Sequence, residues 1–139
     1  MMELKKAQKR KVRLKIGISG PSGFGKTYSA LLLAYGVTGD WSKIAVIDSE
    51  NRSASLYSDL GEYNTIELTP PFSPERYIEA IKTCTNAGIE VIIVDSITHE
   101  WDGEGGCLEI HEKLGGQYMH WKSVTPRHNA FIQAILQCP

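Results

Sequence analysis

No stretch of this sequence approaches the roughly 18 consecutive apolar residues that a membrane-spanning helix requires,. The amino terminus also lacks the apolar core of a secretory signal, so no membrane partner is expected. Cysteine is scarce: Cys84, Cys107 and Cys138 are odd in number and form no C-x-x-C pair. That pattern excludes a disulfide framework and predicts free thiols in a reducing, cytoplasmic compartment. The four histidines, His99, His111, His120 and His128, match no metal-ligand spacing and are expected on the surface or in loops,. Arginine is sparse beyond the amino-terminal region, with only Arg52, Arg76 and Arg127. A small-molecule kinase with an arginine-rich lid is thereby disfavoured, though it stays open as an alternative, as does a non-catalytic nucleotide-binding regulatory module. No N-K-x-D segment is present to select guanine, and no internal repeat is visible.

What remains is an ordinary globular composition, 42% hydrophobic and 22% charged over 139 residues, enough for one domain and its core,. The net charge of −1 conceals an asymmetry. Lys5, Lys6, Lys9, Arg10, Lys11, Arg13 and Lys15 crowd the first fifteen residues against Glu3 alone, leaving the remainder acidic. Residues 1–11 read as a basic arm, either a phosphate-neutralising contact to nucleic acid or a solvated leader. Residues 12–139 read as the folded domain.

The chemistry centres on Gly20-Pro21-Ser22-Gly23-Phe24-Gly25-Lys26-Thr27, which matches G-x-x-x-x-G-K-[ST], the phosphate-cradling P-loop,. Val12, Leu14, Ile16 and Ile18 alternate ahead of it as a strand would. Tyr28 to Tyr35 reads as a helix behind it, closed by Gly36 or Gly39. Strand, glycine-rich turn and helix is the context in which backbone N–H groups and a helix N-terminus converge on phosphate. Residues 20–28, Tyr28 included, are the predicted nucleotide-binding segment. Lys26 reaches the outer phosphates, and the Thr27 hydroxyl is a Mg²⁺ ligand.

Two further apolar runs end in acids: Lys43 to Asp48, and Glu90 to Asp95. Both read as buried parallel strands, with Tyr63 to Leu68 as an edge strand between them. Asn51 to Gly61 reads as a loop with a short helical turn. Ser73-Pro74 predicts a helix start, continuing through Tyr77, Ile78, Ile81 and Cys84 to Gly88. Trp101 to Gly106 reads as a flexible turn, Leu108 to Leu114 as a short helix, and Thr125-Pro126 as the opening of the last helix. Strands alternating with helices predict an α/β fold of three layers, a mainly parallel sheet covered on both faces.

Ligands in such a sheet sit beyond the carboxyl ends of the strands. Asp95 fits the role of a second Mg²⁺ holder opposite Thr27. Hydrolysis also needs a group to activate water, and Ser96 occupies the position where a glutamate often follows that aspartate. Asp48 and Glu50 would point to the same side if the chain stays extended. Glu50 is the longer and is taken as the catalytic base, with Glu100 as its rival.

The P-loop, Ile47-Asp48-Ser49-Glu50, and Val91-Ile92-Ile93-Val94-Asp95-Ser96 together resemble the RecA/RadA-like P-loop ATPase core, over roughly residues 12–137. The segments Val94 to Trp101 and Thr125 to Asn129 are similar to phage-borne RecA-like nucleotide-binding proteins of AAA type, some of which act in single-strand annealing. The resemblance implies Mg-dependent ATP hydrolysis with Glu50 and Lys26 as catalytic groups. It also implies single-stranded DNA as a partner, a homo-oligomer, and the bacterial host cytoplasm if the protein is phage-encoded. Gly103 to Val124 would match the mobile DNA-facing loop of that family, with Tyr118, Trp121 and Lys122 as stacking and charge contacts; a surface lid is the other reading. The family pattern continues past Cys138 into a further strand between the P-loop strand and the Asp95 strand. The chain is therefore expected to be either a fragment or a naturally shortened protein, with those two strands closing up or a partner chain filling the gap.

Overall fold

A computed structural model describes residues 2–7, 14–19, 25–50, 57 and 59–138. Among them a three-stranded parallel sheet runs in the order β2-β1-β3, with β1 Ile44–Asp48, β2 Asn64–Glu67 and β3 Val91–Asp95. Helices α1 (Lys26–Thr38), α2 (Pro74–Asn86), α3 (Thr98–Asp102), α4 (Cys107–Lys113) and α5 (Trp121–Leu136) flank it. The architecture is the α/β, P-loop-type fold that the alternation of elements predicts.

Every residue of the central strand β1 is buried, and its period of two sorts them onto opposite faces,. Ala45 and Ile47 join Tyr77, Ala80, Ile81 and Cys84 of α2 and Phe131 of α5 in one core. Ile44 and Val46 join Leu31 and Ala34 of α1 in the other. A parallel strand buried on both sides needs a near-continuous apolar run, which is why β1 reads as one. On the larger face, the Tyr77 and Phe131 rings meet edge to face at 5.3 Å, joining α2 to α5,.

Several elements differ from expectation. Residues 14–19 form no strand, and Leu14, Ile16 and Ile18 are exposed, while residues 12 and 13 lie outside the described residues. Alternation supplies an apolar face but not a ladder partner. The described sheet ends at β3, so these residues neither pair with it nor close up against it,. For the same reason β3 is only half-buried, where full burial was expected. Residues 51–56 and 58 of the predicted loop lie outside the described residues.

Helix α1 runs to Gly39, which takes φ 64° and donates to the Tyr35 carbonyl, so Gly36 lies inside the helix,. Ser73 and Pro74 stand at the predicted helix start, but the Ser73 side chain makes no cap bond. Trp101 and Asp102 close α3 rather than forming a flexible turn. The last helix begins at Trp121, not at Thr125, and carries Pro126 inside it. Burial of Val124 and stacking of Trp121 hold that first turn in place, outweighing the proline signal. The segment 103–124 is therefore built from α4 and short turns of helix, not from an irregular loop.

Candidate functional site

The site lies at the carboxyl edge of the sheet, where α1 begins. Gly25 occupies the N-cap of α1 at φ 74°, a left-handed conformation that favours glycine,. No side chain caps this helix, and no acid stands in its first turn. No side chain of the helix thus offsets the positive end of its dipole at its leading N–H groups,. Gly20, Pro21, Ser22, Gly23 and Phe24 lie outside the described residues. Gly25, Lys26 and Thr27 are half-buried, whereas Tyr28 is 41% exposed and tilts against Tyr57.

The register of the sheet sets Asp48 opposite Asp95 at the ends of β1 and β3. Helix α1 packs over these strands and brings Thr27 to the same point. Its hydroxyl donates to Asp95 Oδ2 at 2.5 Å, joining the residues read from sequence as the two Mg²⁺ holders. The donors here are oxygens only, the set that a hard divalent cation takes. Beside them Ser96 Oγ is buried without a hydrogen-bond partner, a polar atom at the strand end that an added ligand or its water would satisfy,. On donor chemistry, the residues present fit Mg²⁺.

Asp48 and Glu50 differ in exposure. Asp48 is buried and its Oδ1 accepts the Glu50 N–H at 2.8 Å, which turns the chain out of the strand,. Glu50 is exposed just beyond that turn, on the edge that carries Asp95. Glu100, the rival base, is 1% exposed. It accepts from Cys107 Sγ at 3.1 Å and from His128 Nδ1 at 2.9 Å, so its carboxylate is engaged away from solvent. Burial, with Glu100 beside it, pushes the Cys107 thiol up to about 12, so this cysteine is no thiolate nucleophile at neutral pH,.

A polar layer behind Asp95 has no signature in the sequence. Ser49 N–H donates to the Asp95 carbonyl at 2.9 Å, and Ser49 Oγ accepts the Ser96 N–H at 3.0 Å. The same hydroxyl hydrogen-bonds His99 Nδ1 at 2.9 Å, and the His99 ring stacks on Phe72. From α2, the Tyr77 hydroxyl donates to the Ser96 carbonyl at 2.9 Å. Its burial, with Glu100 and Glu50 nearby, pushes the phenol up to about 12,. Ser49, His99 and Tyr77 thus converge behind the end of β3, a grouping that only the three-dimensional structure reveals.

The arginines are committed elsewhere. Arg127 donates to both Glu75 carboxylate oxygens through Nε and Nη2, holding the Glu75 carboxyl below its ordinary range, and Arg76 donates to the Thr69 and Pro71 carbonyls. Arg52 lies outside the described residues. Neither described arginine is available as a lid over a phosphate acceptor.

Within the helical cap, Trp121 is half-buried and stacks on Trp101 at 5.7 Å and on His111 at 3.8 Å. His111 Nε2 donates to the Gln117 carbonyl at 2.8 Å. The Trp121 ring is engaged within the fold, whereas Tyr118 is 92% exposed. Tyr118, Met119, Trp121, Lys122, Thr125 and Pro126 line a shallow groove on this surface. No helix among the described residues is long and apolar enough to cross a membrane.

A family model described as an AAA domain matches residues 13–139. The chain matches no curated protein and no solved structure.

Proposed function

The chain belongs to the AAA domain family of P-loop ATPases, and from that premise we propose that it binds Mg·ATP over the N-terminus of α1 and hydrolyses it in the manner of RecA-like ATPases. The observation that carries the reading is the contact between Thr27 Oγ1 and Asp95 Oδ2, which joins the P-loop helix to the acidic end of β3. In this reading residues 20–28 are the phosphate-binding segment and Lys26 neutralises the outermost phosphate. Thr27 and Asp95 hold Mg²⁺, which when bound offsets negative charge on the β- and γ-phosphates. Glu50, exposed at the turn after β1, takes a proton from the attacking water,.

The finer reading couples this cycle to single-stranded DNA, in annealing or recombination, in a homo-oligomeric, phage-borne protein of the bacterial cytoplasm. The basic arm, Tyr118 and Lys122 are the groups that suit a single strand, through phosphate neutralisation and base stacking,. The exposed apolar residues on α1, among them Leu32, Leu33 and Val37, suit contact with a neighbouring copy,.

The test combines calorimetry with ATP and Mg²⁺, phosphate release, and a gel shift with single-stranded DNA at low salt. Binding and release that both need Lys26 support the ATPase. A shift that appears only with ATP supports the DNA role. A protein that binds ATP but leaves DNA unshifted under all conditions removes the second part alone.

A further inference from the structure

We propose that Glu100, Cys107 and His128 form a binding site for one divalent transition-metal ion of the zinc class, separate from the phosphate site. Each donor comes from a different helix: Glu100 from α3, Cys107 from the start of α4, His128 from α5. Their ligand atoms all lie within 4.8 Å of one another. Cys107 Sγ stands 3.1 Å from Glu100 Oε1, and His128 Nδ1 stands 2.9 and 3.0 Å from the two carboxylate oxygens. The sulfur and the imidazole nitrogen are 4.0 Å apart. Tetrahedral zinc, with bonds of about 2.0–2.3 Å, separates its ligand atoms by roughly 3.3–3.7 Å. The observed distances bracket that range, so an ion enters with movements of a few tenths of an ångström.

The arrangement is not a nucleophile relay. A relay uses both imidazole nitrogens, one toward the nucleophile and the other toward the acid. Here Cys107 and Glu100 both approach His128 through Nδ1, so the three groups converge on one point. The His128 ring is held by edge contact with Trp101 at 5.2 Å. Glu100 and Cys107 are 1% and 0% exposed, while the His128 side chain keeps 30% of its surface. Three protein donors leave a fourth position of a tetrahedral ion for a water to fill,.

Donor chemistry selects the ion. Sulfur and imidazole nitrogen favour zinc and its neighbours, whereas Mg²⁺ and Ca²⁺ take oxygen. The oxygen-only pair Thr27 and Asp95 and the mixed set at Glu100 are thus sorted to different metals. The ion displaces the Cys107 proton to solvent, and the resulting thiolate with the Glu100 carboxylate balances its two charges, so a buried site stays neutral. The ion would tie α3, which begins three residues beyond Asp95, to α4 and α5, fixing the helical cap on the end of β3.

The experiment is titration of chelator-treated protein with Zn²⁺ by calorimetry and with Co²⁺ by absorption spectroscopy. One equivalent per chain is expected, with a thiolate-to-cobalt charge-transfer band and a tetrahedral ligand-field spectrum. Zinc at a hundredfold above its Kd should raise Tm by on the order of 10 °C. Cys107→Ser should abolish the charge-transfer band, and His128→Gln, at the more exposed ligand, should weaken binding by about 100-fold or more. Cys84→Ser and Cys138→Ser should leave both unchanged. Lack of stoichiometric binding by the unaltered protein overturns the proposal whatever the variants do. A thiolate band that survives Cys107→Ser, or disappears in Cys84→Ser or Cys138→Ser, overturns it equally.

Discussion

Thr27 and Asp95, 68 positions apart in the chain, meet side chain to side chain, the threonine hydroxyl donating to the carboxylate at 2.5 Å. A hydroxyl that donates to Asp95 still has lone pairs to offer a cation, and Asp95 has a second oxygen for it or for its water. Under the proposed function the pair is thus arranged ahead of Mg²⁺ binding. Asp95→Asn should remove the gain in ATP affinity that Mg²⁺ confers while leaving metal-free binding close to unaltered. Lys26→Ala acts on the phosphate itself. Losing a charged hydrogen-bond donor costs about 1.5–3 kcal/mol, roughly 10- to 150-fold in Kd, with or without metal. Calorimetry of both variants in Mg²⁺ and in chelator separates the two roles.

Glu50 and Glu100 were rivals for activating water, and burial separates them. An exposed carboxylate at a turn can approach a water, whereas one that is 1% exposed and bonded to Cys107 and His128 cannot without unfolding its surroundings. Glu50→Gln should lower kcat by about 100- to 10,000-fold, the usual contribution of a general base, with ATP affinity within about twofold. Phosphate-release kinetics and equilibrium binding on the same preparation check this. A kcat close to that of the unaltered protein removes Glu50 from the mechanism.

Much of this arrangement was legible in the sequence because it depends on local patterns. The runs ending at Asp48 and Asp95 are strands by apolar continuity, and Pro74 marks the start of α2 by its missing N–H,. The phosphate-loop spacing singled out Thr27 and the strand-end position singled out Asp95, and the fold brings the two side chains into contact. What was not legible depends on distant partners. Residues 14–19 alternate correctly yet lack a ladder to join. No spacing rule links Ser49, His99 and Tyr77, which meet only because the register of β1 on β3 gathers them behind Asp95. The set Glu100, Cys107 and His128 escapes any spacing rule because three separate helices supply it. The extended run on which the pairing of Asp48 with Glu50 depended ends at Asp48, which captures the Glu50 N–H.

The aromatic residues of the helical cap also divide by environment. Trp121 is stacked against both Trp101 and His111, so its ring serves the fold, while Tyr118 stands nearly free beside Lys122. Base stacking contributes about 1–3 kcal/mol per ring. If single-stranded DNA binds this surface, Tyr118→Ala should weaken it by roughly 5- to 150-fold without changing Tm. Trp121→Ala should instead lower Tm, by disrupting the packing among α3, α4 and α5. Fluorescence anisotropy with a labelled oligonucleotide, beside thermal melts, distinguishes them. Equal DNA affinity in Tyr118→Ala and the unaltered protein rules out this face.

Tyr77 gives the fold a specific alkaline weakness. Its side chain is wholly buried, its hydroxyl donates to the Ser96 carbonyl at 2.9 Å, and burial pushes it up to about 12. In the unfolded chain a tyrosine titrates near 10. Below pH 10 both states hold the proton and the stabilisation is intact. Between about 10 and 12 the unfolded state releases its proton while the folded state does not, so stability falls as pH rises. The full loss is on the order of 3 kcal/mol, about 1.4 per pH unit. Tyr77→Phe leaves the Ser96 carbonyl without this donor and should cost about 1–3 kcal/mol at pH 8. The variant lacks the titrating group, however, so its stability should fall less steeply above pH 10. Urea denaturation at pH 8 and pH 11 should show the gap between the two proteins narrowing by about 1 kcal/mol. A gap that stays constant over that interval would place the Tyr77 hydroxyl in contact with solvent.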